Sequence, residues 1–158
     1  MENYRNVTLQ PESVFLPQEQ TIFRILDANC NRLREALRVI EEYYRFAVNE
    51  ESAAITLKEE RHRLISIEDA VGRHRLLAAR NTGDDCFASE NRPEELRRDG
   101  LASLLAANFK RAQEAARVLE EYGKLTNASA VSETAKRIRF SLYDLEQRQL
   151  AGRNHGEE

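Results

Sequence analysis

Long apolar runs are missing from this 158-residue chain, and its N-terminus has no short apolar segment of the signal-peptide kind. That absence excludes a membrane span and sets the expectation of a soluble, cytoplasmic protein. Cysteine is scarce: Cys30 and Cys86 have no spacing that makes a zinc site or a disulfide framework. The three histidines, His62, His74 and His155, are too scattered to suggest a metal cluster. A surplus of positive charge is also lacking, since the net charge is −3, and this argues against a general nucleic-acid binder. Lysine is nearly absent. Of 24 basic residues only Lys58, Lys110, Lys124 and Lys136 are lysines, and the other 20 are arginines, the better bidentate partners for phosphate and carboxylate. Genomic base composition is the weightier explanation of such a bias. Neither a P-loop, nor a Gly-x-Gly-x-x-Gly after a strand, nor a Ser/His/Asp or Cys/His arrangement occurs.

What is present is helical. Apolar residues at 41% and charged residues at 32% suit slender helices with one apolar stripe better than a thick sheet sandwich. At 18.2 kDa the chain has the length of one domain with one core. Residues 1–20 contain Pro11 and Pro17 and read as an N-terminal arm; residues 151–158 read as a disordered tail. Between them four helical stretches are expected, at about 21–48, 52–71, 93–124 and 129–149. Ser52 and Ser129 sit where N-caps belong, Pro93 fits a first turn, and Gly100 marks a kink or interruption. Residues 80–91 form the one long internal loop.

Two segments of the chain repeat each other. Residues 27–46 align without gaps on residues 106–125, and ten of the 20 positions are identical, including Asn29/Asn108, Arg32/Arg111, Glu35/Glu114, Ala36/Ala115, Arg38/Arg117, Glu41/Glu120 and Tyr43/Tyr122. Generic Arg/Glu/Ala-rich helices would share roughly two or three positions by composition, so duplication is the expected cause. After a one-residue slip, Lys58, Arg61, Leu64 and Glu68 match Lys136, Arg139, Leu142 and Glu146. The repeated unit is a helix pair, spanning about 22–72 and 101–149. The expected fold is therefore an all-α, internally duplicated helix-pair bundle of about four main helices with pseudo-twofold symmetry.

At about 100° per residue, Leu26, Cys30, Leu33, Leu37, Ile40 and Tyr44 form one stripe, the ordinary core face. Ala28, Arg32, Glu35, Ala36, Val39, Glu42 and Tyr43 fall on the opposite side, where most identities lie. Small residues let helices approach, so this face is expected at a seam, with Arg32–Glu35 and Arg38–Glu42 spaced for pairing. One reading is a salt-bridged seam that only holds the halves together. The other is a pocket in which Arg32 and Arg111 face an anion and Glu35 and Glu114 hold Mg²⁺. Tyr43 and Tyr122 are more often packing residues than catalysts, and Glu41 and Glu120 are expected toward solvent. The loop from Arg80 to Asp85 offers a cation, a flexible glycine and two carboxylates, or is simply a solvated turn.

The run from Arg24 to Phe46, the second run from Ala107 to Tyr122, and the linking Leu77-Ala-Ala-Arg80-Asn-Thr82-Gly-Asp84 together resemble a small helical family of thiamine biosynthesis. Its members occur alone or fused ahead of thiamine-phosphate synthase, and the resemblance covers about residues 22–148. It implies a monofunctional, ATP-dependent kinase that converts hydroxymethylpyrimidine monophosphate to the diphosphate. Asn81 and the Asp84-Asp85-Cys86-Phe87 ending depart from the family's Arg-Asp-Thr and Asp-Val-Gly pattern. The expected site then comprises Arg32, Arg111 and Arg80 as catalytic cations, with Asn29, Asn108, Arg38, Arg117, Tyr43 and Tyr122 binding substrate and Glu35, Glu114 and Asp84 toward the metal. The expected cofactors are ATP and Mg²⁺.

The residue inventory agrees independently with phosphoryl transfer to a phosphate. A monoester is already mostly ionised at neutral pH, so no general base is needed, and catalysis reduces to holding two anions in line. A second expectation, from another class, is a non-catalytic domain associated with thiamine-phosphate synthase. The sequence leaves open whether the bundle is a monomer or a homodimer.

Overall fold

A computed structural model describes residues 18–90 and 92–153, and every described regular element is helical. Helix α1 spans Gln18–Glu42 and passes directly into a π turn, Tyr43–Ala47. Helix α2 spans Glu51–Val71, α3 Arg73–Ala79, α4 Leu101–Gly123 and α5 Ser129–Arg153, with a 3₁₀ turn at Pro93–Leu96 before α4. The expected α1 stripe is the core face: Leu26, Cys30, Leu33, Leu37, Ile40 and Tyr44 are all buried. Opposite them α2 contributes Leu57, Leu64 and Ile67, α4 contributes Leu105, Phe109 and Leu119, and α5 contributes Val131, Ile138 and Leu142.

Helix α1 packs most extensively on α4, α4 on α5, α5 on α2, and α2 on α1, which closes a four-helix ring; α3 lies against α1 and α2. One cleft is lined by the start of α1, the end of α2, Arg75 of α3 and the connection that leads from the end of α4 into α5. At the opposite end the Tyr44 hydroxyl donates to Gln149. Each helix of the ring therefore runs antiparallel to both neighbours. This topology dictates the long connection. Helix α3 ends beside the start of α1, whereas α4 begins at the far end, so residues 80–100 must traverse a bundle about 35 Å long.

Several boundaries differ from the sequence expectation. The arm was expected to reach residue 20, but α1 begins at Gln18; residues 1–17 lie outside the described residues. The tail was expected from 151, but α5 continues to Arg153, and 154–158 lie outside the described residues. Ser52 is not a cap, because α2 starts at Glu51 behind Glu50. The stretch 93–124 is broken at Gly100, whose φ of +145° ends the approach to α4. Helix α3 was missed: Gly72, at φ +103°, ends α2 and starts α3 with no intervening loop.

Candidate functional site

The polar contacts of the first helix pair recur in the second. Asn29 Nδ2 donates to the Ile25 carbonyl at 2.9 Å, and Asn108 Nδ2 to the Leu104 carbonyl at 2.8 Å. Arg34 pairs with Glu68 where Gln113 donates to Glu146. Arg61 Nε lies 2.6 Å from Glu41 Oε2, and Arg139 Nη2 lies 2.7 Å from Glu120 Oε2. Arg38 reaches Glu41 and Glu42 at 3.7 Å, and Arg117 reaches Glu120 and Glu121 at 3.0 Å.

Glu41 and Glu120 were expected toward solvent, and the structure overturns this: they are 3% and 6% exposed. Each turns toward the second helix of its own pair, where an arginine pairs with the buried carboxylate: Arg139 donates twice to Glu120 Oε2, whereas Arg61 donates only to Glu41 Oε1 and leaves Oε2 without a hydrogen bond. Burial pushes the Glu120 carboxyl up, but hydrogen bonds and charge from Arg139 and Arg117 outweigh it and hold the group below the ordinary glutamate range. The Tyr143 hydroxyl, accepting from Arg139 Nη1 at 3.4 Å, and the Glu120 carboxylate raise the Arg139 pKa against its desolvation. Sequence spacing alone pointed elsewhere. The signal that could have found these pairs was the joint identity of Glu41/Glu120 with Arg61/Arg139 across the helix pair.

The expected charged seam is also corrected. Ala36 and Ala115 are buried on α1 and α4, whereas Arg32, Glu35, Arg111 and Glu114 are exposed. The expected Arg32–Glu35 pair does not form, and none of the four makes an ion pair or hydrogen bond among the described residues; the Arg38–Glu42 pair does form. The two alanines are enclosed, and the four charged residues lie on the exposed side of their helices. Tyr43 packs partly buried, edge-to-face on Tyr44 at 5.3 Å, and Tyr122 is 36% exposed. Asn29 and Asn108 are buried and spend their amide N–H on the preceding turn, leaving each amide oxygen unengaged among the described residues.

Arg80 is not a free cation. It grips buried Asp27 with two bonds, Nε at 2.8 Å and Nη2 at 2.9 Å, and these hydrogen bonds and the carboxylate charge raise its pKa. Arg24 donates to the Asn81 carbonyl at 2.9 Å, and Asn81 Nδ2 to Asp84 Oδ2 at 2.5 Å. The beginning of the long connection is thereby fastened to the first half of α1. Asp27 has no equivalent in the second copy, where Ala106 stands, so only one half carries this anchor. Among the described residues no three carboxylate, histidine or cysteine groups converge as a metal cage, so Glu35, Glu114 and Asp84 are not preassembled.

A family model described as the ThiD2 family matches residues 24–148. Among curated proteins, a thiamine-phosphate synthase of Thermosynechococcus vestitus is 46% identical over 131 residues, covering 81% of this chain and 35% of that protein. One from Nostoc punctiforme is 37% identical over 147 residues, 93% of this chain and 40% of that protein. A third, from a Synechocystis species, is 42% identical over 125 residues, 79% of this chain and 35% of that protein. The chain thus spans well under half the length of these relatives. No solved structure matches it.

Proposed function

The chain belongs to the ThiD2 family, and we propose that it is an ATP-dependent kinase of thiamine biosynthesis that phosphorylates hydroxymethylpyrimidine monophosphate to the diphosphate. One observation carries this reading. Of the arginines that the repeat holds identical, Arg38, Arg117, Arg61 and Arg139 are tied to carboxylates, while Arg32 and Arg111 have no protein partner among the described residues. They stand on the outer faces of the two helices that pack most extensively together. A cation kept in both copies and left unpaired is available to an anion, and two such groups on adjacent helices suit an acceptor phosphate and a nucleotide.

In the reaction, an acceptor phosphate oxygen attacks the γ-phosphorus, its new O–P bond forms, and the bond to the β–γ bridging oxygen breaks, leaving ADP with the electron pair. The acceptor is already ionised, so no proton need be removed. Arg32 and Arg111 hold the two anions in line against their mutual repulsion. Glu35 and Glu114 are the carboxylates that would hold Mg²⁺, whose charge neutralises the transferring phosphoryl group when it is bound. Isolated, exposed carboxylates suit an ion that keeps most of its ligands as water and nucleotide oxygens. An alcohol in place of the monophosphate would leave an arginine unpaired in the complex, which favours the phosphorylated acceptor.

The test is direct. Pure protein with ATP, Mg²⁺ and hydroxymethylpyrimidine monophosphate is expected to yield the diphosphate by mass spectrometry, and no product at high enzyme concentration would end the proposal. A second reading is favoured by the greater length of the relatives named thiamine-phosphate synthase: an accessory domain that associates with that enzyme. A domain of that kind would show no rise in melting temperature with ATP or the pyrimidine phosphate, whereas the kinase must show one.

A further inference from the structure

The two copies differ at one place in a way that opens a second site. Between the end of α1 and the start of α2 lies a groove of about 780 Å³, bordered by Glu41, Arg45, Phe46, Ile55, Lys58 and Arg61. In the second copy the equivalent arginine is fully engaged. Arg139 bonds Glu120 through Nε and Nη2, donates Nη1 to the Tyr143 hydroxyl, and lies 5.0 Å from the Phe140 ring centroid. Lys136 also rests against Phe140, at 5.8 Å. In the first copy Ile65 stands for Tyr143 and His62 for Phe140. Arg61 donates only Nη2 to Glu41 Oε1, at 3.3 Å; its Nε lies 2.6 Å from Glu41 Oε2 as an ion pair without a hydrogen bond, and Nη1 has no partner among the described residues. The ammonium of Lys58, the counterpart of Lys136, makes no ion pair, hydrogen bond or ring contact among the described residues, and only the Lys58 carbonyl is engaged, by the His62 ring at 2.8 Å.

We propose that this groove is an anion site for a phosphate monoester borne on a planar heteroaromatic ring. The phosphate accepts from Lys58 Nζ and from Arg61 Nη1, the donor whose counterpart on Arg139 is spent on the Tyr143 hydroxyl. Arg45, only 3.9 Å from Glu41 and 4.8 Å over the Phe46 ring, closes one side. Exposed Phe46 and Ile55 supply an apolar wall on which a ring can rest. The groove exists because the π turn and Asn49, a non-glycine residue at φ +52°, splay the chain between the helices. Glu50 and Glu51 also border it and set an upper limit on its affinity for anions. Nine residues separate Arg32 from Glu41 on α1, which is half a turn around the helix, so the site is distinct from the Arg32/Arg111 face and does not depend on kinase activity.

Pyridoxal 5′-phosphate is a suitable probe, since it carries the phosphate, the ring and an aldehyde. The aldehyde carbon and Lys58 Nζ form an imine with loss of water, and borohydride reduces the C=N bond to a stable amine. With only four lysines in the chain, peptide mapping reads the outcome cleanly. Lys58 is expected to take at least tenfold more label than Lys110, Lys124 or Lys136. Separate competition by inorganic phosphate, ATP and a pyrimidine monophosphate identifies which source the site prefers. Arg45→Ala, which removes a cation, and Ile65→Tyr, which rebuilds the second copy's plug, are each expected to cut Lys58 labelling about tenfold. Even labelling of the four lysines, or Lys58 labelling that stays within twofold in both variants, overturns the proposal.

Discussion

Arg32 and Arg111 are useful residues to remove because they hold nothing together. Neither has a protein partner among the described residues, so Arg32→Ala and Arg111→Ala are each expected to leave the melting temperature within about 1 °C while lowering kcat/KM by about 100-fold or more. Loss of activity accompanied by unfolding would return both residues to a structural role. Glu120 behaves in the opposite way. Because its folded pKa is depressed, its stabilisation is complete above the ordinary glutamate value of 4.5 and disappears as pH falls through the folded value. Glu120→Gln should therefore lower the urea midpoint at pH 7 and shrink that difference by pH 3; an equal deficit at both values would show that the charge is irrelevant. Burial pushes the Cys30 thiol up to about 12, whereas Cys86 is exposed. Native protein should react with one equivalent of a thiol reagent at pH 8 and denatured protein with two.

At the scale of elements, the one-residue slip between the copies has a physical cause. Asn29 to Asn108 is 79 residues, but Arg61 to Arg139 is 78, so the first copy holds one more residue between its helices. The π turn absorbs it: the Val48 N–H reaches back five residues to the Tyr43 carbonyl at 3.2 Å, instead of four. In the second copy Gly123 stands opposite Tyr44, and the turn is tight enough that a Cβ there would lie 2.7 Å from Val131 Cγ1. A glycine in an exposed helix ordinarily gains about 1 kcal/mol on becoming alanine, but here Gly123→Ala should destabilise by about 1–3 kcal/mol, and Val131→Ala in the same chain should recover part of it. A stabilised Gly123→Ala in chemical denaturation would mean that α5 shifts freely. The α1 apolar stripe was legible in the sequence because a 3.6-residue period survives any partner. The charged face was read less well. Its identities suggested a buried seam, but periodicity fixes only which residues share a side, and of that face only Ala36 and Ala115 are buried.

For the whole molecule, helix order decides what no local pattern reveals. Duplication was visible from ten identities, yet the carboxylates that its second helices bury, Glu41 and Glu120, emerged only when Arg61 and Arg139 came across the pair. The loop expected at residues 80–91, open to a functional or a merely solvated reading, is part of a longer connection that runs to Gly100. It is long because α2 and α4 run in the same direction, so the chain must travel the length of the bundle before starting its second copy. Among the described residues its polar fastening near the start is the grip of Arg80 on Asp27 and of Arg24 on the Asn81 carbonyl, and the second copy has Ala106 in place of Asp27. That asymmetry makes the two halves unequal, and it yields a prediction at this scale. Asp27→Asn keeps a bond to Arg80 but removes the charge, while Asp27→Ala leaves the connection untied. Limited proteolysis of Asp27→Ala should cut between residues 80 and 100 about tenfold faster than in the native chain, with Asp27→Asn between the two and the bundle itself resistant. If the connection also shapes the acceptor's place beside α1, the acceptor KM should rise in the same order while kcat changes less. Equal cleavage rates in all three proteins would mean that the packing of α3 on α1 and α2, and not the ion pair, holds the crossing in place.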